Sequence, residues 1–303
     1  MRLIGLHIGY WWGTGEETDI FRMLDLTHQA ELDAMELNPA WLLRLTDREC
    51  GELLRRAKDY GMVMTLNGGL DPGNDISSDD GEARREGIRY CTEVLRRMPA
   101  LELKVWSGLN YSAWLRMPQG EFLEERKRAW THSVESLKEI LPVAEELGVD
   151  YCFEVCNRYE QFLFNTAKEA VAFAEETGSP RAKVHLDTYH MNIEEDNMFA
   201  AIAYAGVARR LGHLHVGESN RRIPGVGPTQ IDWELLAKAL DAVAYDGAVI
   251  MEPFVLTSAH NAARTRTWRD LSRNASLEKL VEDARTGGRF LRSILRERPP
   301  QAV

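Results

Sequence analysis

YCFEV at residues 151–155, AKVHLD at 182–187 and LGHLHV at 211–216 are short apolar runs set between longer stretches whose hydrophobic residues recur at helical spacing. A short run with β-branched and aromatic content is a strand signal, and an amphipathic stretch between two such runs is a crossover helix. The same alternation extends outward in both directions. Upstream, strands are predicted at Leu3 to Gly9, Ala34 to Leu37, Val63 to Leu66 and Leu101 to Val105; downstream, Ala248 to Met251 completes a series of eight. Glu124 to Glu146 and Trp233 to Val243 are the clearest amphipathic helices. A last outer helix is expected over Ser276 to Glu297, before a frayed PPQAV tail. Ahead of it, SAHNAARTRTWRDLSRNAS is a polar connection of a length that is uncommon unless it covers a site or meets a partner.

Strand, helix, strand in repetition implies a parallel sheet, because each helix must carry the chain back to the end where the previous strand began. An open doubly wound sheet would bring a glycine-rich phosphate loop, but no GxGxxG follows the first strand and no GxxxxGK[ST] occurs. Eight units with no linker between them predict an α/β fold of one domain over residues 1–303, a single (β/α)8 TIM barrel. The active site is then expected at the C-terminal ends of the strands.

Composition narrows the partners. With 37 basic and 47 acidic residues the formal charge is −10, so a phosphate backbone has no clustered cations to bind and nucleic acid is not an expected partner. The opening MRLIGLHIGYWWG is too short an apolar run to span a bilayer and has no small-residue cleavage site after it, so it is read as a buried strand and no membrane association is expected. Cys50, Cys91, Cys152 and Cys156 form no CxxC pair, which fits a reduced, cytoplasmic setting. Cys152 and Cys156 share strand parity and are expected to fill core.

At the predicted strand ends stand Glu154, Asp187, His215 and Glu252. Any one of these acids could merely cap the next helix, but four consecutive strands each deliver a ligand type at the same end. Three carboxylates and one imidazole suit Mn²⁺, Mg²⁺ or Co²⁺ better than the thiolate sites of structural zinc, and an ion would remove the mutual repulsion of the carboxylates. Nearby in sequence are Glu160, His190 and Arg221, which are either a surface ion-pair network or partners for the oxygens of a polyol. Tyr10, Trp11, Trp12, Trp106 and Trp114 are candidates for a pocket wall; core filling suits Trp106, and Trp114 in a loop suits stacking on a sugar.

The segments FEVCNRYEQFLFNT, KVHLDTYHMNIEED, GHLHVGESNRRIPGVG and VIMEPF, in this order, resemble the ketose 3-epimerases, the D-tagatose 3-epimerase and D-allulose (D-psicose) 3-epimerase family of xylose isomerase-like barrels. The similarity runs from IGLHIGYW to WRDLS, and LDTYHMNIEE is its most specific piece. By motif position it implies that Glu154, Asp187, His215 and Glu252 bind a divalent metal, Mn²⁺ first with Co²⁺ or Mg²⁺ as alternatives, and that Glu160, His190 and Arg221 hold the O1 and O2 end of a small-molecule ketose. It also implies a homodimer or homotetramer. Selectivity for the sugar would lie in pocket shape near His7, Trp114 and the loop after the third strand, where Asn67 and Gly68 sit. His7 and His185 occupy positions where the family usually has other residues, and GTGEETD lacks a further tryptophan expected there; these departures bear on the substrate.

The chemistry so implied is removal and return of a C-3 proton by a pair of glutamates, Glu154 and Glu252, through a cis-enediolate. Proton transfer between C-1 and C-2, as in an aldose-ketose isomerase, is the nearest rival; inosose dehydration and isomerisation of a small hydroxy-carbonyl acid also fit the barrel. A DNA-repair endonuclease would need a histidine-rich multi-zinc cluster and a basic face, which eight scattered histidines in an acidic chain do not supply. A non-catalytic sugar binder would leave the paired glutamates without a purpose.

Overall fold

The structure, a computed structural model, describes residues 2–257, 262–263 and 265–295. Its strands are β1 (Ile4–His7), β2 (Ala34–Leu37), β3 (Val63–Asn67), β4 (Val105–Gly108), β5 (Asp150–Glu154), β6 (Ala182–Asp187), β7 (Leu211–Val216) and β8 (Val249–Met251). All pair in parallel with their sequence neighbours, and β8 closes on β1 to complete the barrel. The crossover helices are α1 (Ile20–Gln29), α2 (Asp47–Asp59), α3 (Gly81–Arg97), α4 (Phe122–Leu147), α5 (Ala167–Glu176), α6 (Met198–Val207), α7 (Trp233–Ala242) and α8 (Leu277–Ile294). Local chemistry starts them: Thr46 with Glu49 and Thr166 with Glu169 form reciprocal capping boxes at α2 and α5.

Strand parity divides the core. Residues such as Leu6, Met35, Leu66, Trp106, Phe153, Leu214 and Met251 are buried in the apolar cluster that includes the helices. Their neighbours line the interior, where a Cβ on Gly5 would run into Ile250 and Ala34. The upper interior is polar: His7, Glu36, Thr65, Asn67, Ser107, Glu154, His185, Asp187, His213 and His215 are all buried. Parallel barrels usually fill this space with branched aliphatics, so a polar lining sets the C-terminal end apart from an ordinary barrel core.

Two expected strands shift. The run from Leu101 is not β4: Met98–Leu101 is a 3₁₀ turn opened by Pro99, and Glu102 follows in a left-handed conformation, φ 54°. Leu101 and Leu103 are buried as anchors of that turn, so their alternation mimics a strand, while pairing with β5 begins only at Val105. Trp106 therefore lies within β4 and is core, not pocket wall. Likewise β1 ends at His7, and Ile8–Trp11 turns as a 3₁₀ helix. Tyr10 and Trp11 then point away from the pocket, donating hydrogen bonds to the Leu280 carbonyl and to Thr27.

Gly108 ends β4 with φ +117°, and a Cβ there would lie 2.7–2.9 Å from backbone atoms of Gly68. That close approach holds the β3 and β4 ends together, where Asn67 donates to Ser107 at 3.0 Å. Gly108→Ala should therefore lower stability by about 1–3 kcal/mol through left-handed strain and overpacking, measured as a lower midpoint in urea unfolding.

The four cysteines are unpaired and buried. Among the described residues no helix is long and apolar enough to cross a membrane. The PPQAV tail and residues 258–261 and 264 of the long polar connection lie outside the described residues.

Candidate functional site

Glu154 is the last residue of β5, Asp187 the last of β6, His215 the penultimate residue of β7, and Glu252 directly follows β8. All four are buried, and each offers a ligand atom within 4.8 Å of the others. The strand ends thus bring together side chains 98 positions apart in the chain.

Each donor is oriented by its surroundings. Asp187 does cap the short helix that follows, since its Oδ1 accepts the Tyr189 N–H at 2.9 Å; its Oδ2 faces the cluster. His215 Nε2 bonds Glu36 Oε2 at 2.5 Å, and the same carboxylate accepts from His213 Nε2 at 2.8 Å and Thr65 at 2.9 Å. Glu36 accordingly fixes the proton on Nε2 of His215. Its Nδ1, 3.4 Å from Glu252 Oε2, is buried, has no hydrogen-bond partner among the described residues, and is the nitrogen left to face the cluster. A histidine held by a carboxylate with its other nitrogen open is the arrangement of a metal ligand. With three converging carboxylates the residues fit a divalent ion of the Mn²⁺, Co²⁺ or Mg²⁺ kind.

Arg221, left-handed at φ 64°, reaches in from the loop after β7; its Nη1 bonds Asp187 Oδ2 at 2.6 Å and Glu252 Oε2 at 2.8 Å. Burial alone would raise the Glu252 pKa, but His215 and Arg221 hold it well below the usual carboxylate range. Burial would likewise lower that of His215, and Glu36 and Glu252 instead raise it well above the imidazole value. Glu36 is held well down against its own burial by His215 and His213. His185 has no such compensation: burial, then the charges of His215 and His213, hold it neutral.

Glu160, His190 and Arg221 come together with the cluster, and His190 and Arg221 are too buried to be a surface network. Asn157 donates its backbone N–H to His190 Nδ1 at 3.1 Å, which places the proton on Nε2, 3.5 Å from Glu154 Oε1. The Asn157 amide also donates to Glu160 Oε1 at 3.1 Å, while Trp114 Nε1 donates to Glu160 Oε2 at 3.0 Å. Trp114 thus orients Glu160. His7 accepts the Gly9 N–H on Nδ1, lies 3.9 Å from Glu252 Oε1, and makes edge contacts with Trp12 and Phe254, which stack on each other. Asn67 sits at the end of β3, where its amide is engaged by Ser107 rather than by the carboxylates.

Three residues of this network escape the sequence reading: Glu36, His213 and Asn157. The first two carried a signal. Glu36 is an acid inside the strand AMEL, and His213 shares the parity of His215 two positions on, so both had to face the barrel axis.

A sequence model of the family described as xylose isomerase-like TIM barrel matches residues 24–275, in accord with the closed barrel and its strand-end cluster. Within that class the chain is 35% identical to D-psicose 3-epimerase of Ruminiclostridium cellulolyticum, over 96% of its own length and 97% of the relative's. It is 34% identical to L-ribulose 3-epimerase of Mesorhizobium japonicum, over 89% of this chain and 88% of that one. A crystal structure of D-psicose 3-epimerase with D-tagatose from Clostridium cellulolyticum superposes with a TM-score of 0.90 at 35% identity, covering 97% of this chain and 99% of that one. The chain belongs to the ketose 3-epimerase family, and with it to the isomerases.

Proposed function

We propose that this chain epimerises a free ketose at C-3, of the D-allulose/D-fructose, D-tagatose/D-sorbose or L-ribulose type, using one Mn²⁺ per chain held by Glu154, Asp187, His215 and Glu252. The observation that carries this reading is the delivery of two glutamates, Glu154 and Glu252, from β5 and β8 into one buried cluster. A bound divalent ion supplies Lewis acidity to the C-2 carbonyl and so acidifies the hydrogen on C-3. Inversion then requires a base on each face of that carbon, and Glu154 and Glu252 serve alternately as acceptor and donor of the proton. Ketose 3-epimerase relatives with two different sugar names support C-3 as the reacting carbon without choosing the sugar.

The neighbouring donors orient the substrate. His190 Nε2–H and an Arg221 Nη2–H lie 3.1 Å apart, nitrogen to nitrogen, so one oxygen at the O1 and O2 end can accept from both, and Glu160 accepts from a hydroxyl there. We assign the other end of the sugar to His7, whose Nδ1 accepts the Gly9 N–H and so leaves the proton on Nε2, and to the stacked Trp12 and Phe254 beside it. Assembly as a homodimer or homotetramer and a cytoplasmic setting belong to the same proposal. The unpaired cysteines support the latter.

Trp114→Phe keeps the ring but removes the donor to Glu160. It should reduce kcat/KM by about tenfold, the worth of one hydrogen bond to a charged group, with KM and kcat measured separately on the preferred ketose. The function itself is tested by incubating the Mn²⁺-supplemented protein with D-fructose, D-allulose, D-tagatose and L-ribulose and separating products by chromatography. C-3 epimers are expected; an aldose as the main product would assign the proton shift to C-1 and C-2 instead.

A further inference from the structure

The Arg221 side chain is largely buried, and its backbone is in the left-handed conformation, φ 64°. A non-glycine residue keeps that conformation only where its surroundings over-determine it. Two of those surroundings are aromatic. The guanidinium Cζ lies 4.1 Å from the ring centroid of Tyr189 and 5.4 Å from that of Phe254, distances at which the face of a ring attracts a cation. Tyr189 is itself fixed: it belongs to the short helix Thr188–Glu194, its N–H donates to Asp187 Oδ1 at 2.9 Å, and its ring meets that of His190 edge-on at 5.1 Å. One ring therefore packs against both donors assigned to the O1 and O2 end of the ketose.

We propose that Tyr189 is a positioning residue for Arg221, its ring face holding the guanidinium so that Nη2 stays beside His190 Nε2 when a divalent ion is bound by the carboxylates. The inference rests on the metal site and the substrate role of Arg221 proposed above. Nη1 of Arg221 is tied to Asp187 Oδ2 and Glu252 Oε2. A divalent ion bound by those carboxylates offsets their charge and repels the guanidinium, so the polar anchors of Arg221 weaken as the ion binds. An aromatic face attracts a cation through its quadrupole and competes for no ligand of the ion. Phe254 stands farther from the guanidinium and packs on Trp12 and His7 as well, so Tyr189 is the ring that isolates the contact.

The test measures KM and kcat with Mn²⁺ on D-fructose, D-allulose, D-tagatose and L-ribulose for wild type, Tyr189→Leu, Tyr189→Phe, Arg221→Ala and the double variant Tyr189→Leu with Arg221→Ala, and compares crystals of Mn²⁺-loaded wild type and Tyr189→Leu. Tyr189→Leu should raise KM about tenfold, within the range of a desolvated cation–π contact, and leave kcat within about twofold. Tyr189→Phe keeps the ring and should recover most of the loss, and on Arg221→Ala the loss of the Tyr189 ring should add nothing. In the crystals the guanidinium should stay over the ring in wild type and leave His190 in Tyr189→Leu. Parent KM in Tyr189→Leu, or a penalty undiminished on Arg221→Ala, overturns the role of Tyr189 and leaves the metal site and Arg221 standing. Parent KM in Arg221→Ala overturns the substrate role of Arg221 and the inference with it. If wild type turns over none of these sugars, the proposed function falls, and the crystals still decide the hold on the guanidinium. The wild-type crystal needs no variant: a guanidinium that has left the Tyr189 ring with Mn²⁺ bound overturns the proposal even if Tyr189→Leu does not fold.

Discussion

Glu154→Gln and Glu252→Gln are each expected to lower the rate of epimerisation by about 10²–10⁴, the range in which a positioned acid or base contributes. Glutamine keeps the volume and one oxygen for the ion but cannot accept a proton at neutral pH, so the comparison is made at saturating Mn²⁺. The two variants should also fail differently. Each retains one carboxylate, which can still remove and return the C-3 hydrogen of the epimer whose hydrogen faces it. Solvent deuterium should therefore enter one sugar of the pair in Glu154→Gln and the other in Glu252→Gln, while conversion between them is lost. Conversion at the parent rate in either variant would defeat the two-base scheme.

Removing Glu36 should be the most destructive change outside the cluster. This carboxylate is fully buried and accepts from Thr65, His213 and His215, so Glu36→Ala strands three buried donors at once. Breaking a buried charged network from one side costs about 3–5 kcal/mol, which should appear as a large fall in the urea midpoint. The freed His215 ring can turn or change tautomer, and loss of such a supporting carboxylate lowers metal affinity about 10–100-fold. Glu36→Gln retains one acceptor oxygen and should fall between. Unchanged Mn²⁺ affinity in a folded Glu36→Ala protein would show that Glu36 does not set the His215 donor.

The barrel and the four-residue cluster were legible in the sequence for one reason. Strands buried on both sides read as compact apolar runs, and the strand-end rule then turns linear positions such as 154 and 252 into neighbours. Where local burial imitates that signal the reading slips, as at Leu101 and Leu103, whose alternation serves a turn. Tyr10 and Trp11 illustrate a second limit: aromatic residues after a strand can pack outward on the helices as readily as inward, and only the 3₁₀ turn decides. The supporting shell was less visible because its members are single residues without a spacing of their own. Glu36 takes its meaning from His213 and His215 across the barrel, and Asn157 from His190 and Glu160.

Crystals grown with Mn²⁺ and measured at the manganese edge address the central claim directly. An anomalous peak is predicted about 2.0–2.3 Å from carboxylate oxygens of Glu154, Asp187 and Glu252 and from Nδ1 of His215. A manganese peak bound elsewhere, with these four side chains holding no ion, would contradict it.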